Sequence, residues 1–146
     1  MKYHHRFIVR ASVTKVVRFH AQSDSLLSIT PPLVKMQIHR APELLSEGNE
    51  IDFTLWFGPF PVRWVARIDQ QSASEFTDRQ LSGPYRDWTH RHTFLSLDNH
   101  HTEVRDEIEL LMKKHPWWFL VGTVMWASLP ILFTYRARQT KIILEK

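Results

Sequence analysis

The sequence contains no cysteine, and this absence excludes several kinds of chemistry. Without thiols the chain cannot form disulfides, use a thiolate nucleophile or build a cysteine-based zinc site. The absence also fits a reducing compartment, and the first ten residues lack the apolar core of a secretion signal. We therefore expect a cytoplasmic protein.

The sequence also lacks any long block of charges of one sign. Its 19 Lys and Arg residues are interspersed with 15 Asp and Glu residues, which leaves a net charge of +4. This dispersed excess is typical of a solvated surface and predicts no nucleic-acid partner, although it can weakly favour contact with a membrane surface. The length of 146 residues, with 43% hydrophobic residues, fits one globular domain spanning residues 1–146.

Alternation of apolar and polar residues predicts an antiparallel sheet over most of the chain. The first strand is predicted over His4–Arg10, and two short helices follow it, the second ending before Pro31 and Pro32. From Leu33 onward, alternating segments are separated by turn residues about every ten positions, as in consecutive antiparallel strands. With the first strand, this pattern predicts seven strands in an α+β fold.

The C-terminal third contains 19 uncharged residues, Trp117–Tyr135, flanked by basic residues. Their length and outline match a transmembrane helix. Gly122, Ser128 and Pro130 within the run, and a sheet with no other cover, favour a helix packed on the sheet. Pro130 lies either in the first turn of that helix or at a kink in a longer one. The expected buried face contains Leu132, Tyr135, Gln139 and Ile142 or Ile143.

Several segments resemble the START-like helix-grip superfamily (SRPBCC), and within it the bacterial polyketide cyclase/dehydrase-like ligand-binding group. The segments that carry the resemblance are FIVRASVTKVVRFH at 7–20, LSITPP at 27–32, FTDRQLSGPYRDWTHRHTF at 76–94, TEVRDEI at 102–108 and LPILFTYRARQT at 129–140. The resemblance implies a curved seven-stranded sheet wrapped around a long C-terminal helix, with a ligand cavity between them. It implies no shared catalytic residue and no cofactor.

Strand alternation places five polar residues on the interior face of the sheet. These are Asp78, Gln80, His90, His92 and Asp106. A buried carboxylate is costly unless it is paired or protonated, and the two histidines are its obvious partners. The cluster can be a structural network, a patch that orients a ligand, or a His/Asp acid–base pair. We expect no metal site, because the His-x-His spacing alone is a weak signal.

Seven aromatic side chains are predicted to line the same interior. They are Phe53, Phe57, Trp64, Phe76, Trp88, Phe94 and Tyr135. Together with Gln80, His90 and His92 they form the expected binding site for a lipid, quinone or polyketide-like molecule that the protein carries or senses. The alternative is a cyclase, dehydratase or isomerase, with His90, His92, Asp78 and Asp106 as the catalytic candidates. Arg136, Arg138 and Lys141 are read as a solvated helix face.

Overall fold

The computed structural model describes all residues from Met1 to Lys146. The elements in chain order are β1 (Lys2–Val9), α1 (Val13–Ala21), α2 (Ser25–Ser28), β2 (Val34–Arg40), β3 (Glu50–Phe57), β4 (Phe60–Gln71), β5 (Glu75–Ser82), β6 (Tyr85–Asp98), β7 (His101–Met112) and α3 (Pro116–Leu144). This confirms the predicted order of one strand, two short helices, six strands and a long closing helix. The α+β fold class is therefore confirmed.

Local sequence signals account for where the elements begin and turn. Ser12 precedes α1, and its hydroxyl oxygen accepts a hydrogen bond from the Lys15 backbone N–H at 3.4 Å. Such a cap satisfies one of the N–H groups that the first turn of a helix leaves unpaired. Gly58, with φ of +60°, supplies the left-handed conformation needed in the tight turn between β3 and β4.

The seven strands form one antiparallel sheet in the order β1-β7-β6-β5-β4-β3-β2. Every neighbouring pair is antiparallel, and only β1 pairs with a strand distant in sequence. Register shifts interrupt the β4–β5 ladder between Val65 and Ala66 and between Ile68 and Gln70. Such bulges bend and twist strands, which helps the sheet to curve around α3.

Helix α3 is a single element of 29 residues, with Pro130 in its interior rather than in its first turn. Its buried face consists of Gly122, Leu129, Phe133, Ala137, Thr140 and Leu144. The predicted face was therefore only partly right: Leu132 and Ile143 are half-buried and pack against the core, whereas Tyr135 and Gln139 are not among its packed residues and Ile142 is exposed. The first half of the helix is apolar on all sides, so hydrophobic periodicity could not identify the packed face.

Close packing holds the N-terminal half of α3 against the sheet. The Tyr85 hydroxyl donates a hydrogen bond to the Gly122 carbonyl oxygen at 2.9 Å. A Cβ atom on Gly122 would lie 2.9 Å from Met112 Sδ and 3.2 Å from the Tyr85 ring. Glycine is therefore needed here because the helix backbone approaches these two side chains directly.

One helix in the structure, α3, is long and apolar enough to cross a membrane. Its packed residues run from Gly122 to Leu144, so this length of the helix is held against the sheet. Its outer face exposes several large apolar side chains: Trp117, Phe119, Leu120, Val124 and Ile131. Contact between this face and a membrane surface stays a prediction.

Candidate functional site

A cavity of about 310 Å³ lies between the concave face of the sheet and α3. Twenty-two of its 33 lining residues are hydrophobic. Nine residues singled out from the sequence lie on its wall: Phe53, Phe57, Trp64, Phe76, Asp78, Trp88, His90, His92 and Asp106. A mostly apolar wall with a few converging polar groups is the usual form of a small-molecule site.

Three other predicted site residues lie outside the cavity wall. Gln80 bridges the β5–β6 turn, where its side-chain amide donates to the Tyr85 carbonyl oxygen at 2.7 Å and its Oε1 accepts from the Tyr85 N–H at 3.1 Å. Phe94 is buried in a separate core cluster with Val16, Phe19 and other apolar residues. Tyr135 is half-buried and is not among the residues that line the cavity.

Two charged or titratable residues on the wall were not predicted from the sequence. The sequence predicts Arg136 on a solvated helix face, but the structure places it on the cavity wall. Its Nε atom is buried without a hydrogen-bond partner, and its guanidinium carbon lies 5.4 Å from the centre of the Phe133 ring. His20, at the end of α1, also lines the cavity, and its Nδ1 lies 2.9 Å from the Val16 carbonyl oxygen.

The remaining basic residues of the C-terminal helix face a different surface. Arg138 and Lys141 border a shallower groove between β1 and α3, together with Arg10 and Glu145. None of the carboxylate or imidazole side chains of the cavity wall lines this groove. It is an open, solvated surface, as expected for these basic residues.

Strand register brings two carboxylates and two imidazoles together on the cavity wall. Asp78 on β5 is paired with His90 on β6, and His92 on β6 is paired with Asp106 on β7. Residues two apart on a strand point to the same face, so all four side chains project toward α3. Three adjacent strands therefore build one compact patch, here called the His–Asp cluster: Asp78, His90, His92 and Asp106.

The shortest contacts in the His–Asp cluster are diagonal across the strands. His90 Nε2 lies 2.8 Å from Asp106 Oδ1, and His92 Nε2 lies 2.8 Å from Asp78 Oδ2. The directly paired groups are further apart, at 3.8 Å from His90 Nδ1 to Asp78 Oδ2 and 3.2 Å from His92 Nδ1 to Asp106 Oδ1. At 3.2 Å the last pair is within ion-pair distance, but its direction is poor for a hydrogen bond.

Aromatic rings cover the cluster on several sides. The Phe76 ring stacks on His92 with 4.1 Å between ring centroids, and the His90 and His92 rings lie 3.7 Å apart. Phe133 of α3 meets His90 edge-on at 5.6 Å. Because these rings exclude water, the charges of the cluster interact with one another more strongly than they would in solvent.

Burial and pairing shift the ionisation of the cluster in opposite directions. Burial by itself would lower the pKa of His92, but the close carboxylates of Asp106 and Asp78 outweigh burial and raise that pKa to about 9. Burial, and then the nearby His92 charge, lowers the pKa of His90. The cluster therefore carries its proton on His92, which is close to both carboxylates, and leaves His90 neutral near pH 7.

The two carboxylates remain ionised although they are buried. Burial would raise the pKa of Asp106, but the hydrogen bond from His90 and the close imidazole of His92 hold it below its usual range. The same balance, with His92 as the main donor, lowers the pKa of Asp78. His20 is different, because burial dominates and lowers its pKa to about 4. His20 is therefore a neutral part of the wall.

Comparison with known proteins identifies the fold but no close relative in sequence. No protein-family model matches the chain, and no curated protein shows significant sequence similarity to it. An aromatase/cyclase from Streptomyces superposes with a TM-score of 0.79 at 15% identity, covering 99% of this chain and 93% of that one. A START superfamily protein from Mycobacterium smegmatis gives 0.68 at 9% identity, covering 99% and 97%.

A plant enzyme has the same architecture. Norcoclaurine synthase from Thalictrum flavum, solved with dopamine and hydroxybenzaldehyde, gives a TM-score of 0.70 at 15% identity and covers 99% of this chain and 87% of that one. These similarities confirm the expected helix-grip fold and, at the level of the fold, the resemblance to START-like proteins. Such proteins include both ligand-binding proteins and cyclases.

Proposed function

We propose that this protein binds a compact, mostly apolar small molecule between the sheet and α3, as a cytoplasmic carrier or sensor. The observation that supports this proposal is the cavity, whose wall is largely apolar except for the His–Asp cluster and Arg136. An apolar guest with one hydroxyl or carbonyl group would bury its body against the aromatic wall. Its polar group would meet the cluster, which offers both donors and acceptors.

The size of the cavity restricts the ligand class. At about 310 Å³ it is near the lower end of the range for small-molecule sites, roughly 300–1,000 Å³. This volume suits a polyketide-like molecule or a quinone ring system with few fused rings. It is too small to enclose a two-chain lipid entirely, so the wider class of lipids is less favoured than aromatic or alicyclic compounds.

Filling the cavity should weaken ligand binding without unfolding the chain. Ala66 of β4 is buried on the cavity wall, and we expect Ala66→Phe to reduce the affinity for the aromatic, anionic fluorescent probe anilinonaphthalene sulfonate about tenfold. Ala127→Phe, on the exposed side of α3, is the matched control and should leave the affinity unchanged. Native mass spectrometry of the untreated protein should also show a copurified small molecule.

Equal probe binding by both variants would contradict the proposal. Overpacking at Ala66 can itself destabilise a core by about 1–3 kcal/mol, so thermal unfolding of each variant should be measured beside the titration. Met36→Trp provides a second test, because Met36 lines the cavity from the half-exposed edge strand β2. If Met36→Trp is stable and still binds the probe normally, the probe does not enter this cavity.

A second candidate function is acid–base catalysis on a carbonyl compound, as a cyclase, dehydratase or isomerase. The observation that favours it is the contact between a neutral imidazole, His90, and a protonated one, His92, on the cavity wall. Because the pKa of His90 is lowered and that of His92 is raised, His90 can act as a base and His92 as an acid near neutral pH. The architecture shared with an aromatase/cyclase is consistent with this chemistry.

Replacement of His90 should separate the two functions. If the protein is a catalyst, His90→Gln should lower turnover of a linear polycarbonyl substrate about 100-fold or more, because a positioned base contributes this much. Binding of the fluorescent probe should persist, since glutamine retains a polar group at the cavity wall. His101→Gln, at an exposed site, is the control. Unchanged turnover in His90→Gln would exclude His90 as the base.

A further inference from the structure

We propose that Asp78, His90 and His92 form a binding site for one divalent transition-metal ion such as zinc, with Asp106 as a positioning carboxylate. This inference goes beyond the proposed binding of an apolar molecule and does not depend on it. The sequence alone did not favour a metal site, because the His-x-His spacing is a weak signal even with Asp78 or Asp106 as a possible third ligand. The register of β5, β6 and β7 supplies the third ligand and the carboxylate behind the histidines.

The three candidate ligand atoms are close enough to touch one ion. One ligand atom from each of Asp78, His90 and His92 lies within 4.8 Å of the other two. Asp78 Oδ2 is 2.8 Å from His92 Nε2 and 3.8 Å from His90 Nδ1. Since zinc lies about 2.0–2.2 Å from nitrogen and oxygen ligands, two ligands of one tetrahedral ion are about 3.4 Å apart. Small side-chain adjustments therefore suffice.

Asp106 provides an independent observation that points to a metal. Its Oδ1 lies 2.8 Å from His90 Nε2 and 3.2 Å from His92 Nδ1, which are the ring nitrogens opposite the two candidate ligand nitrogens. Metal-binding histidines usually direct their second nitrogen to a carboxylate or carbonyl oxygen, which fixes ring orientation and tautomer. One buried carboxylate here faces the second nitrogen of both rings, as a hydrogen-bond partner of His90 and at ion-pair distance from His92.

The burial of the four side chains indicates where the ion would be open to a ligand. The side chains of His90 and Asp106 are 5% and 8% exposed, whereas that of Asp78 is 19% exposed. All four side chains border the cavity, and Asp78 is the most exposed of them, so a ligand would reach the ion from the Asp78 side. Three protein ligands with a fourth position free for water or substrate are typical of zinc sites that do more than stabilise a fold.

The donor set selects among metals. Two imidazole nitrogens and one carboxylate oxygen suit zinc, iron(II), cobalt(II) and similar ions, whereas magnesium and calcium prefer sites made of oxygen ligands. Cobalt(II) is a useful probe because its visible absorption changes with the number and arrangement of its ligands when it leaves water for a protein site. We therefore expect zinc and cobalt(II) to compete for the same site, and magnesium not to displace either ion.

Metal titration of the EDTA-treated full chain tests the inference. We expect one cobalt(II) or zinc ion per chain, with a dissociation constant below about 10 μM. Asp78→Asn keeps the shape of the side chain but removes the charged ligand, and it should weaken binding about 100-fold. Asp106→Asn should keep the stoichiometry and weaken binding about 10- to 100-fold, as loss of a carboxylate behind metal ligands does.

The matched control is Asp98→Asn, which removes the exposed carboxylate beside His100 and His101 and should leave binding unchanged. Circular dichroism of each metal-free variant should first establish that it is folded. Binding that is lost in Asp98→Asn but retained in Asp78→Asn would place the ion at the surface and overturn the inference. So would the absence of stoichiometric binding by the folded parent chain.

Failure of the metal inference can be distinguished from failure of the proposed function. The fluorescent probe should bind the EDTA-treated protein, because the apolar wall does not require an ion. If the probe binds and the ion does not, only the metal inference fails. If the ion binds at the His–Asp cluster and the probe is unaffected by Ala66→Phe, the metal inference stands and the proposed apolar ligand fails.

Discussion

Replacing Asp106 with alanine is expected to lower the free energy of unfolding by about 3–5 kcal/mol. Asp106 is buried between His90 and His92 and contacts both imidazoles. Its removal leaves a buried hydrogen-bond donor on His90 and removes one of the two carboxylates that keep His92 protonated. Removing one member of a buried charged network costs more than the pair itself contributes, because the partners stay desolvated.

Denaturant unfolding near pH 6.5 would measure this loss, with Asp98→Ala as the control. Asp98 also contacts a histidine, His101, but both side chains are largely exposed, so its removal should change stability by less than about 1 kcal/mol. Asp106→Asn keeps the size of the side chain, and its loss of stability should lie between those of Asp106→Ala and Asp98→Ala. A loss below about 1 kcal/mol in Asp106→Ala would mean that the cluster does not stabilise the fold.

The second large effect is a loss of stability on the alkaline side of neutrality. His92 has a pKa of about 9 in the folded chain, above the value of about 6.5 expected for an unfolded histidine. Protonated His92 therefore contributes to the free energy of unfolding. This contribution is complete below pH 6.5 and is lost as the pH rises to 9. The difference between these two pKa values corresponds to a loss of roughly 3 kcal/mol in the free energy of unfolding.

Unfolding curves at pH 6.5 and pH 9 measure this loss, and His92→Gln should remove most of the difference between them. His101→Gln, which changes an exposed histidine, should keep it. Other groups near the cluster with shifted pKa values do not change stability between pH 6.5 and pH 9. The pKa values of His90, His20 and Asp78 are lowered, so their contributions are lost on acidification. Equal stability of the parent chain at both pH values would contradict a protonated His92.

Alternation in the sequence was sufficient to predict the sheet, because each strand buries one face. The alternate residues Trp64, Ala66 and Ile68 of β4 are buried, and the polar residues of the His–Asp cluster face inward as expected. The packed face of α3 was not predictable in the same way. Its first half is apolar all round, and the contact that orients it is a backbone approach at Gly122, which carries no hydrophobic signal.

The contacts within the site could not be predicted from the sequence, because they depend on how neighbouring strands are aligned. A shift of one residue between β5 and β6 would separate Asp78 from both histidines. That alignment depends on the geometry of the turn at Gly83 and Pro84, where Gln80 reaches across to the Tyr85 backbone. Arg136 was missed for a different reason, since an arginine on a helix usually reaches solvent.

The paired indoles of the cavity wall make occupancy of the cavity visible without a label. Trp64 and Trp88 meet edge-on with 5.0 Å between ring centroids, and Tyr85 stacks on Trp88 at 5.2 Å. The other four tryptophans lie outside the cavity lining. A guest that displaces water from this wall changes the surroundings of two fluorophores and leaves four unchanged. Intrinsic tryptophan emission can therefore follow a ligand titration. A change confined to part of the emission is expected for a guest in the cavity, because only two of the six tryptophans lie on its wall.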